Sequence, residues 1–292
     1  MFRVIIGSLS LLSLLAAVAP EEAAAQPTPF QIVSQLDFEC RRADGQPVAP
    51  NVGVRQLNPV LQDQIPNMQV PLGELQEVCV PVAKNGQIPG PAALAFIRWM
   101  DLACYKAASP PVGVDLHLSH LNPVLQAMGV PDEDVTMGPL EQICLPVAKN
   151  NVQPPPAARA LASHLDLGCY GLQEPTRDLD IPLVLTHLNP VIQAIGLPNR
   201  VVDVHRAHQL CVPIGKNAQP IPPGVLAIVR WADFLKYRVV PRDPIPPLPL
   251  WLNHLNPLYA AVAPFVTTLF ADRVRLLVPV AKDGFLPPGG PD

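Results

Sequence analysis

The chain has 292 residues, a net charge of −4, 15% charged residues and 39 prolines. A mildly acidic chain without a basic patch argues against nucleic acid as a partner. Proline at this frequency interrupts long helices and central strands, and favours short strands joined by rigid turns.

The N-terminus carries its own signal. Met1-Phe2-Arg3 is a short positive region, Val4 to Val18 is apolar without charge, and Ala23-Ala24-Ala25 precedes Gln26. Residues 1–25 therefore read as a secretory signal peptide; the apolar core is short for a membrane anchor. No Cys follows it, so a lipid anchor is not expected. Removing it leaves a net charge of −3 and no later apolar run of membrane-spanning length. The expectation is an exported protein, periplasmic or extracellular, with no membrane span after cleavage.

One short stretch then recurs: QLNPV from Gln56, HLNPV from His120 and again from His187, and HLNPL from His254. The asparagines Asn58, Asn122, Asn189 and Asn256 are 64, 67 and 67 residues apart. This spacing predicts a leader at 26–35 and four tandem units at 36–99, 100–164, 165–231 and 232–292. The units begin with LDFEC, MDLACY, LDLGCY and ADFLKY, so Asp37, Asp101, Asp166 and Asp233 correspond, as do Cys40, Cys104, Cys169 and Lys236.

Within a unit, a Pro-rich connection leads to strict alternation, as in Val114, Leu116 and Leu118, which predicts a half-buried strand. The Asn-Pro that follows is a helix entrance: Asn caps, and Pro fits the first helical position. Gly129 and Gly196 sit where a left-handed exit needs glycine. A second strand pair is expected next, its last part recurring as EVCVPVAKNG, QICLPVAKN, QLCVPIGKNA and RLLVPVAKDG. Its prolines 81, 146, 213 and 279 are expected at a strand end or a sheet edge, and Lys-Asn-Gly reads as a turn. The bridges PAALAFIRWM, PPAARALASHL and IPPGVLAIVR are ambiguous between helix and strand and are read as extended.

Six cysteines in an exported chain imply disulfides. Cys79, Cys144 and Cys211 correspond to one another, and the matching fourth residue is Leu277. The last unit thus lacks both cysteines together, as expected if the two of one unit pair. The rival pairing between units, Cys79–Cys104 and Cys144–Cys169, would strand Cys40 and Cys211, so Cys40–Cys79, Cys104–Cys144 and Cys169–Cys211 is the favoured set. Each loop of about 40 residues contributes on the order of 4 kcal/mol in the chain-entropy view. Trp251, Tyr259, Phe265 and Phe270 are expected to compensate in the last unit by apolar burial.

Catalytic patterns are missing. The chain after residue 25 has no G-x-S-x-G, no HExxH, no phosphate loop and no dinucleotide fingerprint. His120, His187 and His254 are read as strand-end side chains bonding at the repeat junction, not as metal ligands, because unit spacing separates them. His117 should lie opposite to His120. The Asp that recurs once per unit suits a structural role. Trp99 and Trp231, beside Arg98 and Arg230, are read as packing between units. No catalytic residue, metal or cofactor is assigned.

The CYK and LC-x-P-V-x-K-N motifs stand here as Cys104-Tyr105-Lys106 and Cys144-Leu145-Pro146-Val147-Ala148-Lys149-Asn150. Their repetition resembles uncharacterised tandem cysteine-pair domains of unknown function in secreted bacterial and archaeal proteins. The last unit departs from that pattern in lacking both cysteines. The resemblance implies no activity. The expected fold is mainly β: four small β-rich units with one short helix each, stapled by disulfides. The expected function is that of a non-catalytic structural or interaction protein of the cell envelope or extracellular space, with an envelope protein or glycan as partner. The alternative is a module binding a small ligand, glycan or metal between units, and an enzyme of unknown class comes third.

Overall fold

In the computed structural model the described residues are 26–48, 51–244, 246–259 and 261–291, so the expected signal peptide lies outside them. They hold six α-helices and thirteen strands, the strands joined in one antiparallel sheet. First come α1 (Pro29–Val33), β1 (Asp37–Gly45), β2 (Asn51–Gln56) and the long β3 (Met68–Lys84). Next are α2 (Pro91–Ile97), β4 (Asp101–Ala107), β5 (Pro111–His120), α3 (Pro123–Ala127) and β6 (Glu133–Lys149). Then follow α4 (Pro156–Ala162), β7 (Leu167–Leu172), β8 (Ile181–His187), α5 (Pro190–Ile195) and β9 (Arg200–Lys216). The chain finishes with α6 (Pro223–Val229), β10 (Phe234–Pro241), β11 (Leu248–His254), a 3-10 turn at Pro257–Tyr259, β12 (Phe265–Leu269) and β13 (Val274–Lys282).

Eight of these strands close on themselves. β1 pairs with β3, β3 with β4, β4 with β6, β6 with β7, β7 with β9, β9 with β10, β10 with β13, and β13 with β1. The result is a barrel, which removes the exposed edges an open sheet would carry. Its ends meet as well: the Phe30 N–H donates to the Pro288 carbonyl at 3.1 Å.

The other strands wrap the outside. β2, β5, β8 and β11 pair first with the strand that follows them, namely β3, β6, β9 and β12. Their far ends reach the last residues of a long strand on the opposite wall: β9, β13, β3 and β6. Alternation drives this layering. In β5, Val114, Leu116 and Leu118 are buried while Asp115 and His117 face solvent, and the buried row closes an annular core between barrel and wrap.

A second core fills the barrel interior with the disulfides, Phe38, Leu102, Leu167 and Phe234. The helices cover one end of it. α1 touches α2 and α6, and α4 touches the same two, so the four form a ring. This corrects the reading of the bridges as extended, since α2, α4 and α6 lie on them. Pro at the first turn pre-sets the helix, and the need to bury an apolar lid overrides strand propensity. Ile97, Leu161 and Val229 supply the buried face.

Two further expectations are corrected. Pro81, Pro146, Pro213 and Pro279 lie inside long strands rather than at their ends, paired with Phe38, Leu102, Leu167 and Phe234. Each stands where its strand passes from barrel to wrap. On the far side its carbonyl accepts from Leu188, Leu255, Leu57 or Leu121, so the missing N–H falls where the partner changes. The second strand pair is in fact one 17-residue strand in β3, β6 and β9. The expected short helix is present as α3 and α5, shrinks to a 3-10 turn at Pro257, and is a run of turns after Asn58.

The Lys-Asn-Gly turns form as expected. Asn85 and Gly86 both have positive φ (49° and 73°), which a two-residue hairpin loop requires. The Asn85 Oδ1 also accepts from the Val184 N–H at 2.9 Å, which fastens the turn to β8.

Candidate binding site at the barrel mouth

The interior is layered from the helical lid downward. Beneath the lid, Phe38 and Phe234 meet edge to face with centroids 5.5 Å apart. The next layer is the three disulfides, Cys40–Cys79, Cys104–Cys144 and Cys169–Cys211, as the sequence implied. Each joins residues directly opposite in register. Neighbouring disulfides touch, with Cys79 Sγ 3.7 Å from Cys104 Sγ and Cys144 Sγ 3.8 Å from Cys169 Sγ. Lys236 and Leu277 are likewise paired and complete the ring.

Lys236 changes the layer below. Its Nζ donates to Glu77 Oε2 and, across the barrel, to Gln142 Oε1 at 2.6 Å. Gln142 in turn donates to Gln76 Oε1 at 2.8 Å, and Gln209 donates to Glu141 Oε2 at 2.5 Å. Glu77, Gln142, Gln209 and Arg275 each stand two residues before the cysteine position, hence on the same inner face. Burial pulls the Lys236 ammonium below its ordinary pKa, against the pull of Glu77.

Bulges widen the mouth. The register slips by one residue at Gln76 between β3 and β4, at Glu141 between β6 and β7, and at His208 between β9 and β10. A bulge re-aims a side chain, and here two successive residues on each of three strands line the opening. The cavity is about 390 Å³, bounded by Gln76, Lys106, Glu141, His208, Arg273 and Arg275 above the Lys236 layer. Lys236 and Glu77 satisfy each other, so Lys106, Arg273 and Arg275 outweigh Glu141. Burial lowers the Arg275 pKa, with Glu77 opposing. Burial also lowers that of His208, assisted by Arg275, Arg206 and Arg238.

The junction residues lie elsewhere, between barrel and wrap at the lid end. Asn58, Asn122, Asn189 and Asn256 each accept from the backbone N–H two residues on, the expected cap. Their amides do more. Asn122 Nδ2 donates to Asp37 at 2.6 Å, Asn189 to Asp101 at 2.6 Å, Asn256 to Asp166 at 2.9 Å and Asn58 to Asp233 at 2.6 Å. Each Asp also meets a buried lysine, respectively Lys84, Lys149, Lys216 and Lys282.

The histidines bond across the molecule rather than within their own junction. His120 Nε2 lies 3.2 Å from Tyr237 Oη, and His254 Nε2 lies 3.0 Å from Tyr105 Oη. Gln56 donates to Tyr170 Oη at 2.7 Å. His187 has no such tyrosine, because Arg41 occupies that place and donates to the carbonyls of Pro246, Leu269 and Phe270. It faces Arg200, which is bound to the buried Glu39 at 2.9 Å. Burial pushes His120 and His254 down to about 4 and His187 to about 3.

Trp231 packs against Val33, Leu121 and Ala281, the contact between segments that the sequence suggested. Among the described residues two groups have metal-ligand spacing, Cys40–Glu77–Cys79 and Asp178–Asp180–His205. The first is spent in a disulfide, and in the second Asp178 is already held by Arg206. No helix among the described residues is long and apolar enough to cross a membrane.

The mouth was not found by sequence reasoning. The signal was there: a Lys in a Cys position, and polar pairs Gln76-Glu77, Glu141-Gln142 and His208-Gln209 just before the cysteine strands. No family model, curated protein or solved structure matches this chain.

Proposed function

We propose that the protein is an exported, non-catalytic binding protein built of four tandem units, and that the barrel mouth receives a small anionic molecule. The observation that carries this reading is convergence. Polar and charged side chains from several walls meet at one end, while the other end is closed by the helical ring. An array of repeated sites would instead present the same exposed groups in every unit. Three disulfides support an oxidising compartment beyond the cytoplasm. The excess of Lys106, Arg273 and Arg275 favours a carboxylate or phosphate group, which a guanidinium engages in a bidentate manner. The Lys236–Glu77 pair is mutually satisfied, so it supports positioning rather than chemistry.

The test is thermal unfolding and calorimetry with acetate, glucuronate, citrate and phosphate, each matched for ionic strength. A ligand at a hundredfold its Kd adds about 2.7 kcal/mol of stability. The expected result is saturable stabilisation by at least one anion, lost in Arg275→Ala. Failure of every anion, with binding of a neutral glycan or none, overturns the reading.

A further inference from the structure

Four Lys–Asp contacts are buried at the junction of barrel and wrap, each beside a capping asparagine. We propose that they are sites of condensation, in which lysine and aspartate side chains join as isopeptide bonds: Lys84 with Asp37 and Lys149 with Asp101, and by equivalence Lys216 with Asp166 and Lys282 with Asp233.

Four observations point there. The first is exclusion of water: all eight residues are buried, the lysines at 1–2% exposure and the aspartates at 2–4%. A charged pair in such a place bears a large desolvation cost, and the neutral forms, amine and carboxylic acid, avoid it. Burial accordingly raises Asp37 and Asp101 to about 6 and lowers Lys84 and Lys149. A neutral amine is a nucleophile, and a protonated carboxyl can lose water where a carboxylate cannot.

The second is orientation. Lys84 Nζ touches Asp37 Oδ1, and Lys149 Nζ touches Asp101 Oδ1. No other group bonds to these four atoms, so each amine and carboxyl oxygen faces only the other. The amine is held directly against the carboxyl group. Lys216 with Asp166 and Lys282 with Asp233 make the same kind of contact.

The third is a fixed donor on the carboxyl. Asn122 and Asn189 donate to the other oxygen, Oδ2, of Asp37 and Asp101, and Asn256 does so for Asp166. In the last cluster Asn58 and Lys282 meet the same oxygen of Asp233. A preorganised amide N–H aimed at a carbonyl oxygen stabilises the negative charge that develops there when a nucleophile adds to the carbon. Each Asn is itself pinned by its cap bond, so the donor needs no reorganisation.

The fourth is placement. Asp37 opens β1 and Lys84 ends β3, the same strand pair that Cys40–Cys79 joins on its inner face. The pair β10–β13 has no disulfide but keeps Asp233 and Lys282. A covalent link on the outer face would thus staple every such strand pair, including the one without cysteines.

The step balances without a co-reactant. Neutral Lys84 Nζ adds to Cγ of protonated Asp37, forming a C–N bond, while Asn122 holds the carbonyl oxygen. The C–O bond to the hydroxyl breaks, and the hydroxyl leaves with one amine proton as water. Holding both groups in place replaces an unfavourable encounter between separate molecules.

The experiment is mass spectrometry on the full exported chain after reduction, followed by peptide mapping. A deficit of two to four waters, with branched peptides joining Asp37 to Lys84 and Asp101 to Lys149, is expected. A mass matching the uncondensed reduced chain, or a deficit of less than two waters, overturns the proposal. So does a deficit without branched peptides, which marks succinimide formation instead. The Lys149→Arg variant should lose one cross-link and regain one water. The wild-type mass decides the matter even if that variant does not fold.

Discussion

The strand pairs β4–β6 and β10–β13 occupy matching places in the barrel and differ at the cysteine position. In the first, Cys104 and Cys144 face each other; in the second, Lys236 faces Leu277. Lys236 reaches across to Glu77 and Gln142 and brings charge into the interior. The position that is stapled in β4–β6 is the floor of a polar opening in β10–β13, while the outer contact of Asp233 with Lys282 matches that of Asp101 with Lys149. Between these two pairs the inner cysteine position changes while the outer Asp–Lys contact is kept.

The largest expected effect tests that floor. Lys236→Met leaves Glu77 buried without its cation and should cost about 3–5 kcal/mol in denaturant unfolding. Adding Glu77→Gln should recover most of the loss. If the double variant is as unstable as the single one, Lys236 supports the layer by packing and not by charge.

The next effect concerns pH. In the unfolded chain His120 and His187 titrate near 6.5; folded, they resist protonation until about 4 and about 3. The unfolded state therefore binds more protons as pH falls below 6.5, and stability should decline across that window, by up to roughly 3 kcal/mol for His120 and roughly 5 kcal/mol for His187. Asp37 and Asp101 have the opposite sign if they titrate: with folded values raised to about 6, their contribution grows as pH falls. Condensed aspartates do not titrate, so a cross-linked chain should show the histidine decline unopposed. His120→Gln, which copies Gln56 opposite Tyr170, should flatten the slope; an unchanged slope would rule His120 out as its source.

The smallest effect is at the junction. Asn189→Ala removes the cap of α5 and a bond to Asp101, and should cost about 1–2 kcal/mol by thermal unfolding. A loss near zero would mean that Asp101 and Lys149 hold the site alone.

Much of this was legible in residue order. The joint absence of two cysteines revealed the disulfide pairing, alternation revealed the half-buried strands, and Asn-Pro revealed the caps. What lay hidden depended on closure. Pro81 reads as a strand terminator until the strand is seen to change partners beside it. The bridges are ambiguous in sequence because the buried face of Ile97, Leu161 and Val229 exists only once the four helices meet. Asn122 and Asp37 are 85 residues apart, and nothing local links them. The mouth escaped for the same reason, since Glu77, Gln142 and Lys236 become neighbours only when the ring is complete.

The pairing of β1 with β13 has a consequence for how the chain reaches this state. The first strand must wait for the last before its second edge is covered, and several outer strands need a wall more than one hundred residues away, as with Trp251 and Asn150. Contacts of such sequence separation make folding slow, because loop closure precedes any reward. During that delay β1 and the long strands expose bare edges, a hazard for association between chains. A chaperone that shields strands, or early oxidation of Cys40 with Cys79, would shorten the exposed interval.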